Sequence, residues 1–345
     1  MARVCIARID RIGDFVITLP LQEFWLKNRP EDQIVWLAHK NVDFVTSHLI
    51  NKINVKFINT PASFFEKFNL IFELRRWMIQ NRLDVFLSIH VPWWVALAAF
   101  LAKVKTRVGS KSQWYAWFFL NKQLKQNRSE SVKHESQYNL DLAAFALDLD
   151  PSVAHVNPVK LKAKPIAISS WKEKLRKLDV NLEKYVVIHP GMGESARNWP
   201  GANYAELAKK FVKMNYSVIV TGSKMDEDFI IKTEILSIAK VVNLVGKTSG
   251  DDLLAVLAHA KLVVAPSTGV AHLAASLDVP VAAIYSPVRV QAPPRWRPLG
   301  PRVKVFVPEV KCPGHFQCLG PRCEYFDCMS QIGVDSVLSC AMKVP

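Results

Sequence analysis

The sequence predicts an α/β fold made of two similar halves, and three observations carry that prediction. Short β-branched runs recur along the chain, helical stretches separate them, and the pattern restarts after a proline-bearing stretch near residue 150. Val4-Cys5-Ile6-Ala7 opens the first half as a buried strand, and Tyr185-Val186-Val187-Ile188 opens the second in the same way. At 345 residues the chain exceeds the usual size of one domain. The expected divisions are a first domain over 1–160, a second over 161–328 and a closing helix within 329–345.

In the first half, the Val4–Ala7 strand leads through Arg8-Ile9-Asp10-Arg11-Ile12-Gly13-Asp14 into a helix from Phe15 towards Leu26. A dinucleotide fingerprint demands three glycines at fixed spacing, and only Gly13 is present, which disfavours an NAD oxidoreductase. Asp14 follows that glycine at a helix start, where the helix N-terminus keeps a carboxylate ionised. It reads either as a chemical group at the mouth of the first strand or as a plain N-terminal acidic residue.

Further strands are expected at Gln33–Leu37, Lys56–Ile58 and Leu83–Ile89, with a helix over Phe64–Gln80. His90 closes the last of these strands, as a site-lining or an ordinary loop histidine. Pro92–Ala102 is apolar almost throughout and holds Trp93 and Trp94; Trp114–Leu120 is aromatic, and Lys103, Lys105, Arg107, Lys122, Lys125 and Arg128 lie around these stretches. Aromatics beside basic residues suit membrane headgroups or a lipid-linked acidic substrate. A buried helix with a solvated basic end accounts for the same pattern. A helix from His134 to Leu147 closes this half, and Asp150–Ser169, with three prolines, reads as a linker.

The second half repeats one theme. After a helix over Ser170–Leu178, the Tyr185–Ile188 strand runs into His189-Pro190-Gly191-Met192-Gly193, followed by Arg197-Asn198-Trp199-Pro200. The glycines permit close backbone approach, and Arg197 offers a two-pronged contact to phosphate oxygens. A helix over Tyr204–Met214 precedes the Ser217–Val220 strand, which ends in Thr221-Gly222-Ser223 with Asp226 and Glu227 beyond. Either carboxylate can accept from ribose hydroxyls or simply begin the next helix. Val241–Val245 ends in Lys247-Thr248-Ser249 before a helix over Asp251–His259. Leu262–Ala265 ends in Ser267-Thr268-Gly269, followed by a helix over Val270–Leu277 that holds His272, and then a strand over Val281–Tyr285. A Ser-Thr-Gly turn at a helix N-terminus beyond a parallel strand is an anion seat, or merely a helix cap. The recurrence of such turns favours the seat.

The formal charge of +15 is spread along the chain rather than gathered in a tail, which suits an anionic ligand, a membrane surface or nucleic acid. A non-catalytic nucleic-acid binder leaves the recurring turns unexplained. No export signal opens the sequence, and the apolar stretch Val91–Ala102 falls below the ~20 residues of a spanning helix. A soluble or peripheral cytoplasmic protein is expected, with its cysteines mostly as thiols.

Four segments in order resemble the lipopolysaccharide heptosyltransferases, glycosyltransferase family nine, which have the GT-B fold. They are Arg8–Asp14 with Thr18-Leu19-Pro20, His189-Pro190-Gly191 with Arg197–Pro200, Ser267-Thr268-Gly269 with His272–Ala275, and Cys328-Met329 with Ile332. The resemblance implies two Rossmann-like domains facing each other across a cleft, the first binding acceptor and the second the nucleotide sugar, with the last helix packed back on the first domain. It implies Asp14 as general base of an inverting, metal-independent transfer from ADP-heptose to the lipopolysaccharide inner core, without a cofactor, and Arg197 at the donor phosphates. Donor contacts are expected from Gly13, Gly191, Met192, Gly193, Asp226, Glu227, Lys247, Thr248, Ser267, Thr268, Gly269, Val270 and His272, and acceptor contacts from Arg11 and His90. The implied partners are the donor, the anionic acceptor and the inner face of the inner membrane, with no nucleic acid. Many relatives have lysine in place of Arg197 and aspartate in place of Ser267, so another GT-B enzyme, a UDP-sugar transferase or epimerase, is the alternative.

The tail carries Cys312, Cys318, Cys323 and Cys328 with His315 between them, but no paired C-x-x-C knuckle. Free thiols or a disulfide are expected there ahead of a metal.

Overall fold

The computed structural model describes residues 1–193 and 196–342. The chain forms two compact units: Met1–Arg128 with Lys133–Val159, and Ser129–Val132 with the chain from Lys160 onward.

Each unit is built on a parallel sheet of six strands. In the first, β1 (Arg3–Arg8), β2 (Gln33–His39), β3 (Val55–Ile58), β4 (Val85–His90), β5 (Thr106–Ser110) and β6 (Lys122–Leu124) lie in the order β3-β2-β1-β4-β5-β6. In the second, β7 (Tyr185–Ile188), β8 (Ser217–Val220), β9 (Val241–Asn243), β10 (Leu262–Pro266), β11 (Val281–Ile284) and β12 (Val303–Phe306) lie in the order β12-β11-β10-β7-β8-β9. Counted from each unit's own first strand, the two orders are the same. The direction of winding therefore reverses between β1 and β4 and again between β7 and β10. In doubly wound sheets that reversal leaves a crevice beyond the carboxyl ends of the strands, where ligands bind.

The central strands are apolar without alternation because helices cover both faces. Val4 to Ala7 and Val186 to Ile188 are fully buried. On one face of the first sheet, the helix Phe64–Gln80 is capped by Ser63, whose hydroxyl accepts from the Glu66 N–H. It buries Ile71, Leu74 and Met78 in the same core as Val95, Ala98 and Ala99 of the helix Trp93–Leu101. Each such aliphatic side chain contributes about 1.5–3 kcal/mol when taken out of water.

Three strands were not expected from sequence. β6 and β12 are short edge strands carrying Lys122 and Lys304, and lysine is what guards an edge against pairing with another chain. β5 is broken up by Arg107 and Gly109, which hides its apolar character. The linker ends at Lys164, because Pro165 sits at the first position of a helix, Pro165–Lys177, where its missing N–H costs nothing.

The final helix, Val334–Met342, packs within the second unit along the helix Gly201–Lys213: Val334 and Val337 share a core with Phe211, and Lys210 Nζ pairs with Asp335 Oδ1 at 2.6 Å. Residues 343–345 of the expected closing segment lie outside the described residues. Among the described residues, no helix is long and apolar enough to cross a membrane.

Candidate functional site

In the first unit, a register shift after Ala7 sets Arg8 opposite His90 at the carboxyl ends of β1 and β4, at the winding reversal. The Arg8 side chain is 2% exposed. Its Nε donates to Asp10 Oδ1 at 2.7 Å, its Nη2 to Asp14 Oδ1 at 2.6 Å and its Nη1 reaches Glu135 Oε1 at 3.4 Å. Arg128 also donates to Glu135 and, at 3.2 Å, to Asn139 Oδ1. Burial alone would lower the Arg8 pKa, but Asp10, Asp14 and Glu135 outweigh it and hold the guanidinium firmly charged.

Asp14 lies in the first turn of a short helix, Ile12–Val16. That helix is braced by another, Glu135–Ala146: Asn139 donates to Thr18 Oγ1 at 3.0 Å, and Thr18 donates to the Asp14 carbonyl at 2.7 Å. The Asp14 carboxylate is 15% exposed. Its Oδ1 is held by Arg8, and its Oδ2 makes no hydrogen bond among the described residues. Burial raises the Asp14 pKa to about 6; Arg8 opposes that rise, while Asp10 and Glu135 add to it. Asp10 moves upward for the same first reason, with Arg8 opposing. The result is a carboxylate with a fixed counter-ion, one open oxygen and a proton affinity close to neutrality, as a general base requires.

In the second unit, the loops after β7, β8 and β10 meet at the other reversal. His189 is buried and exchanges a 2.9 Å hydrogen bond with Thr221 Oγ1; burial lowers its pKa to about 4, so the ring is neutral at pH 7. Gly191 is required by the Asp226 carboxylate: a Cβ built there would stand 2.2 Å from Asp226 Cγ. Gly193 takes a positive φ of 53°, which glycine adopts at no steric cost. Asp226 ties the two loops together. Its Oδ2 accepts from the Ser223 N–H at 2.9 Å and hydroxyl at 2.6 Å, and its Oδ1 from the Gly193 N–H at 3.4 Å. The loop's return is anchored by Asn198, which donates to the Pro190 carbonyl at 2.8 Å, and by Trp199, whose indole N–H donates to the Ile332 carbonyl at 2.9 Å.

Thr268 caps the helix Gly269–Ser276 through its backbone alone, without a side-chain cap bond. Helix N-terminal donors therefore face the mouth of β10 beside half-buried Ser267 and Thr268, an arrangement suited to phosphate. Ser267 also hydrogen-bonds the buried Tyr285 hydroxyl. Arg197 is half-buried, with its guanidinium 4.8 Å from the centre of the Phe326 ring. Cys312, Cys318, Cys323 and Cys328, all free thiols, line a small cavity together with that pair.

The family model for glycosyltransferase family 9 (heptosyltransferase) matches residues 71–319. The chain belongs to glycosyltransferase family 9. It is 24% identical over 288 residues to lipopolysaccharide heptosyltransferase 3 of Escherichia coli, which covers 79% of this chain and 80% of that protein. A family 9 glycosyl transferase from Veillonella parvula superposes with a TM-score of 0.80 at 16% identity, covering 99% and 97% of the two chains. The E. coli ADP-heptose lipopolysaccharide heptosyltransferase II does so with a TM-score of 0.77 at 21% identity, covering 100% and 98%. The chain thus has the GT-B fold of family 9 and is a glycosyltransferase.

Within this family 9 chain, the residues expected from sequence fall into three groups. Asp14, Gly13 and His90 gather at the first reversal with Arg11 exposed beside them, and Gly191, Met192, Gly193, Arg197, Ser267, Thr268, Gly269, Val270 and His272 lie on the loops and helix at the second. Asp226, expected at the donor, has both oxygens engaged in holding the two loops together. Glu227 and Lys247 are exposed, Lys247 reaching the Asn243 carbonyl at 3.1 Å, and Thr248 is half-buried next to it. Arg8, Glu135, Arg128 and Asn139 were not singled out as site residues. The signal for Arg8 was present: a charged residue continues a strand whose four preceding residues are wholly apolar, so it must end in buried partners.

Proposed function

We propose that this family 9 enzyme transfers heptose from ADP-heptose to the inner core of lipopolysaccharide with inversion at the anomeric carbon. The observation that carries the reading is the Asp14 carboxylate, clamped through one oxygen by Arg8 and open at the other, in a buried setting that pushes its pKa up to about 6. Asp14 takes the proton from an acceptor hydroxyl as that oxygen attacks the sugar. The bond from the anomeric carbon to the diphosphate breaks, and the ADP leaves from the opposite face.

Negative charge growing on the leaving diphosphate meets Arg197 and the N-terminal donors of the helix Gly269–Ser276, so its stabilisation draws on protein groups rather than a bound metal. Gly191, Met192, Gly193, Lys247, Thr248 and His272 flank the donor. Arg11 and His90 contact the acceptor. The E. coli relative whose name includes ADP-heptose supports the choice of nucleotide and sugar.

The acceptor is anchored in lipid, and the first unit has a surface to match. Between Asp84 and Glu130 the chain has no carboxylate, while Lys103, Lys105, Arg107, Lys111 and Lys125 lie in that stretch. Phe100, Trp117 and Phe118 are exposed there, with Arg107 over Phe100 and Lys111 over Trp117. Such a face suits peripheral contact with the anionic cytoplasmic leaflet of the inner membrane.

Thermal-shift measurements with ADP, UDP and GDP test the donor. ADP and ADP-heptose are expected to raise the melting temperature selectively. Equal stabilisation by UDP would overturn the choice of nucleotide.

A further inference from the structure

The first unit holds a groove of ≈ 360 Å³ beside the Asp14 network, lined by Asp10, His90, Trp93, Gln113, Trp114 and Tyr115 among others. Its size lies in the range of small-ligand pockets, roughly 300–1,000 Å³. Two indoles form one wall. The Trp93 and Trp114 ring centres are 6.5 Å apart with their planes at 46°, and Trp114 is 61% exposed.

That wall is fixed from behind. Tyr115 is buried, donates its hydroxyl to the Val91 carbonyl at 2.6 Å and meets Trp114 edge-on at 5.9 Å. The chain thus holds a large apolar ring in place while leaving its face open to water. Around it, the Gln113 amide, the His90 ring and both indole N–H groups make no hydrogen bond among the described residues. Asp10 closes the side next to Arg8, at 2.7 Å.

The groove therefore offers flat apolar faces with unoccupied donors and acceptors at their rims. A pyranose ring matches this chemistry, since its C–H face stacks on an indole while its hydroxyls point outward to polar groups. An acyl chain would leave the Gln113 amide and the His90 ring desolvated without partners. The geometry points to a saccharide subsite in which Trp93 and Trp114 stack a sugar ring of the acceptor, and Gln113 and His90 orient its hydroxyls. This inference rests on the proposed transfer to a saccharide acceptor and assigns the residues that set the acceptor's position.

Isothermal titration of a de-acylated inner-core oligosaccharide tests it, because such a ligand has no lipid to bind a membrane-facing surface. The wild-type protein, Trp114→Ala, Trp93→Ala and Gln113→Ala are compared, each with ADP titrated as a control for the second unit. Trp114→Ala is expected to weaken oligosaccharide binding by about tenfold or more, and Gln113→Ala by several-fold, with ADP affinity unchanged. The exposure of Trp114 makes its variant the least disturbing to the core. In transfer assays the acceptor KM rises in the same proportion while kcat changes less.

Oligosaccharide binding that is equal in the wild type and the two tryptophan variants would overturn the subsite, as would loss of binding to anionic vesicles with saccharide affinity retained. Failure of the wild type to bind the oligosaccharide also overturns it. If the wild type binds the oligosaccharide through these tryptophans yet transfers no heptose to it, the subsite stands and the proposed donor falls.

Discussion

The Nη2 of Arg8 stands 2.6 Å from Oδ1 of Asp14, a contact between the end of a strand and the first turn of the helix that follows it. This ion pair orients the carboxylate and limits how far burial raises its pKa, which comes to rest at about 6. If Asp14 acts as base, it works only when ionised. The rate of transfer, as kcat/KM, is expected to fall tenfold per pH unit below about pH 6, and a pH–rate profile checks this.

The same shift has a stability consequence of definite sign. The folded pKa of Asp14 lies above its ordinary 3.8, so the protonated form is favoured by folding. That contribution is fully present below about pH 3.8 and is lost as pH rises through about 6. Asp14→Asn, which cannot ionise, should therefore gain melting temperature relative to wild type as pH is raised from 5 to 8. Calorimetry at the two pH values reads the difference.

Among the described residues, Arg8 is the cation that pairs with both Asp10 and Asp14, and its own side chain is buried. Arg8→Met leaves those carboxylates buried without their counter-charge. The expected cost is about 3–5 kcal/mol at pH 7, measured by urea unfolding. The milder Arg8→Lys keeps the charge but loses the three-way fork, and its acid limb should move above pH 6.

Gly191 has no room for a methyl group, because the Asp226 carboxylate occupies that space. Gly191→Ala displaces Asp226 from Ser223 and Gly193 and disturbs both loops at the second reversal. Stability is expected to fall by about 1–3 kcal/mol, and ADP affinity by more than the loss of stability alone produces. Thermal shift with and without ADP separates the two effects.

Arg197→Ala removes the guanidinium held over Phe326 and is expected to raise the donor KM by about tenfold or more, with folding little changed, since the residue is only half-buried. Steady-state kinetics at saturating acceptor provide the check.

Much of this architecture was legible in the chain itself. The unbroken apolar runs Val4–Ala7, Tyr185–Ile188 and Leu262–Ala265 could only be buried parallel strands, and the turns after them located both crevices. The short edge strands at Lys122 and Val303 were not legible, because a strand that guards its edge with lysine loses the pattern that reveals strands. Asp14 could be picked out by its place after Gly13 at a helix start. Its partners could not, since Glu135 lies more than a hundred residues away and only the packing of the helix Glu135–Ala146 against the loop near Thr18 brings it to Arg8. The tie that Asp226 makes between two loops was likewise hidden, because its partners Ser223 and Gly193 lie on the turns of different strands.

The most direct measurement pairs heptose transfer with donor binding in Asp14→Asn. The account predicts ADP-heptose affinity within about twofold of wild type, with transfer reduced by about a hundredfold or more. Transfer at the wild-type rate by a variant that binds donor normally would contradict it.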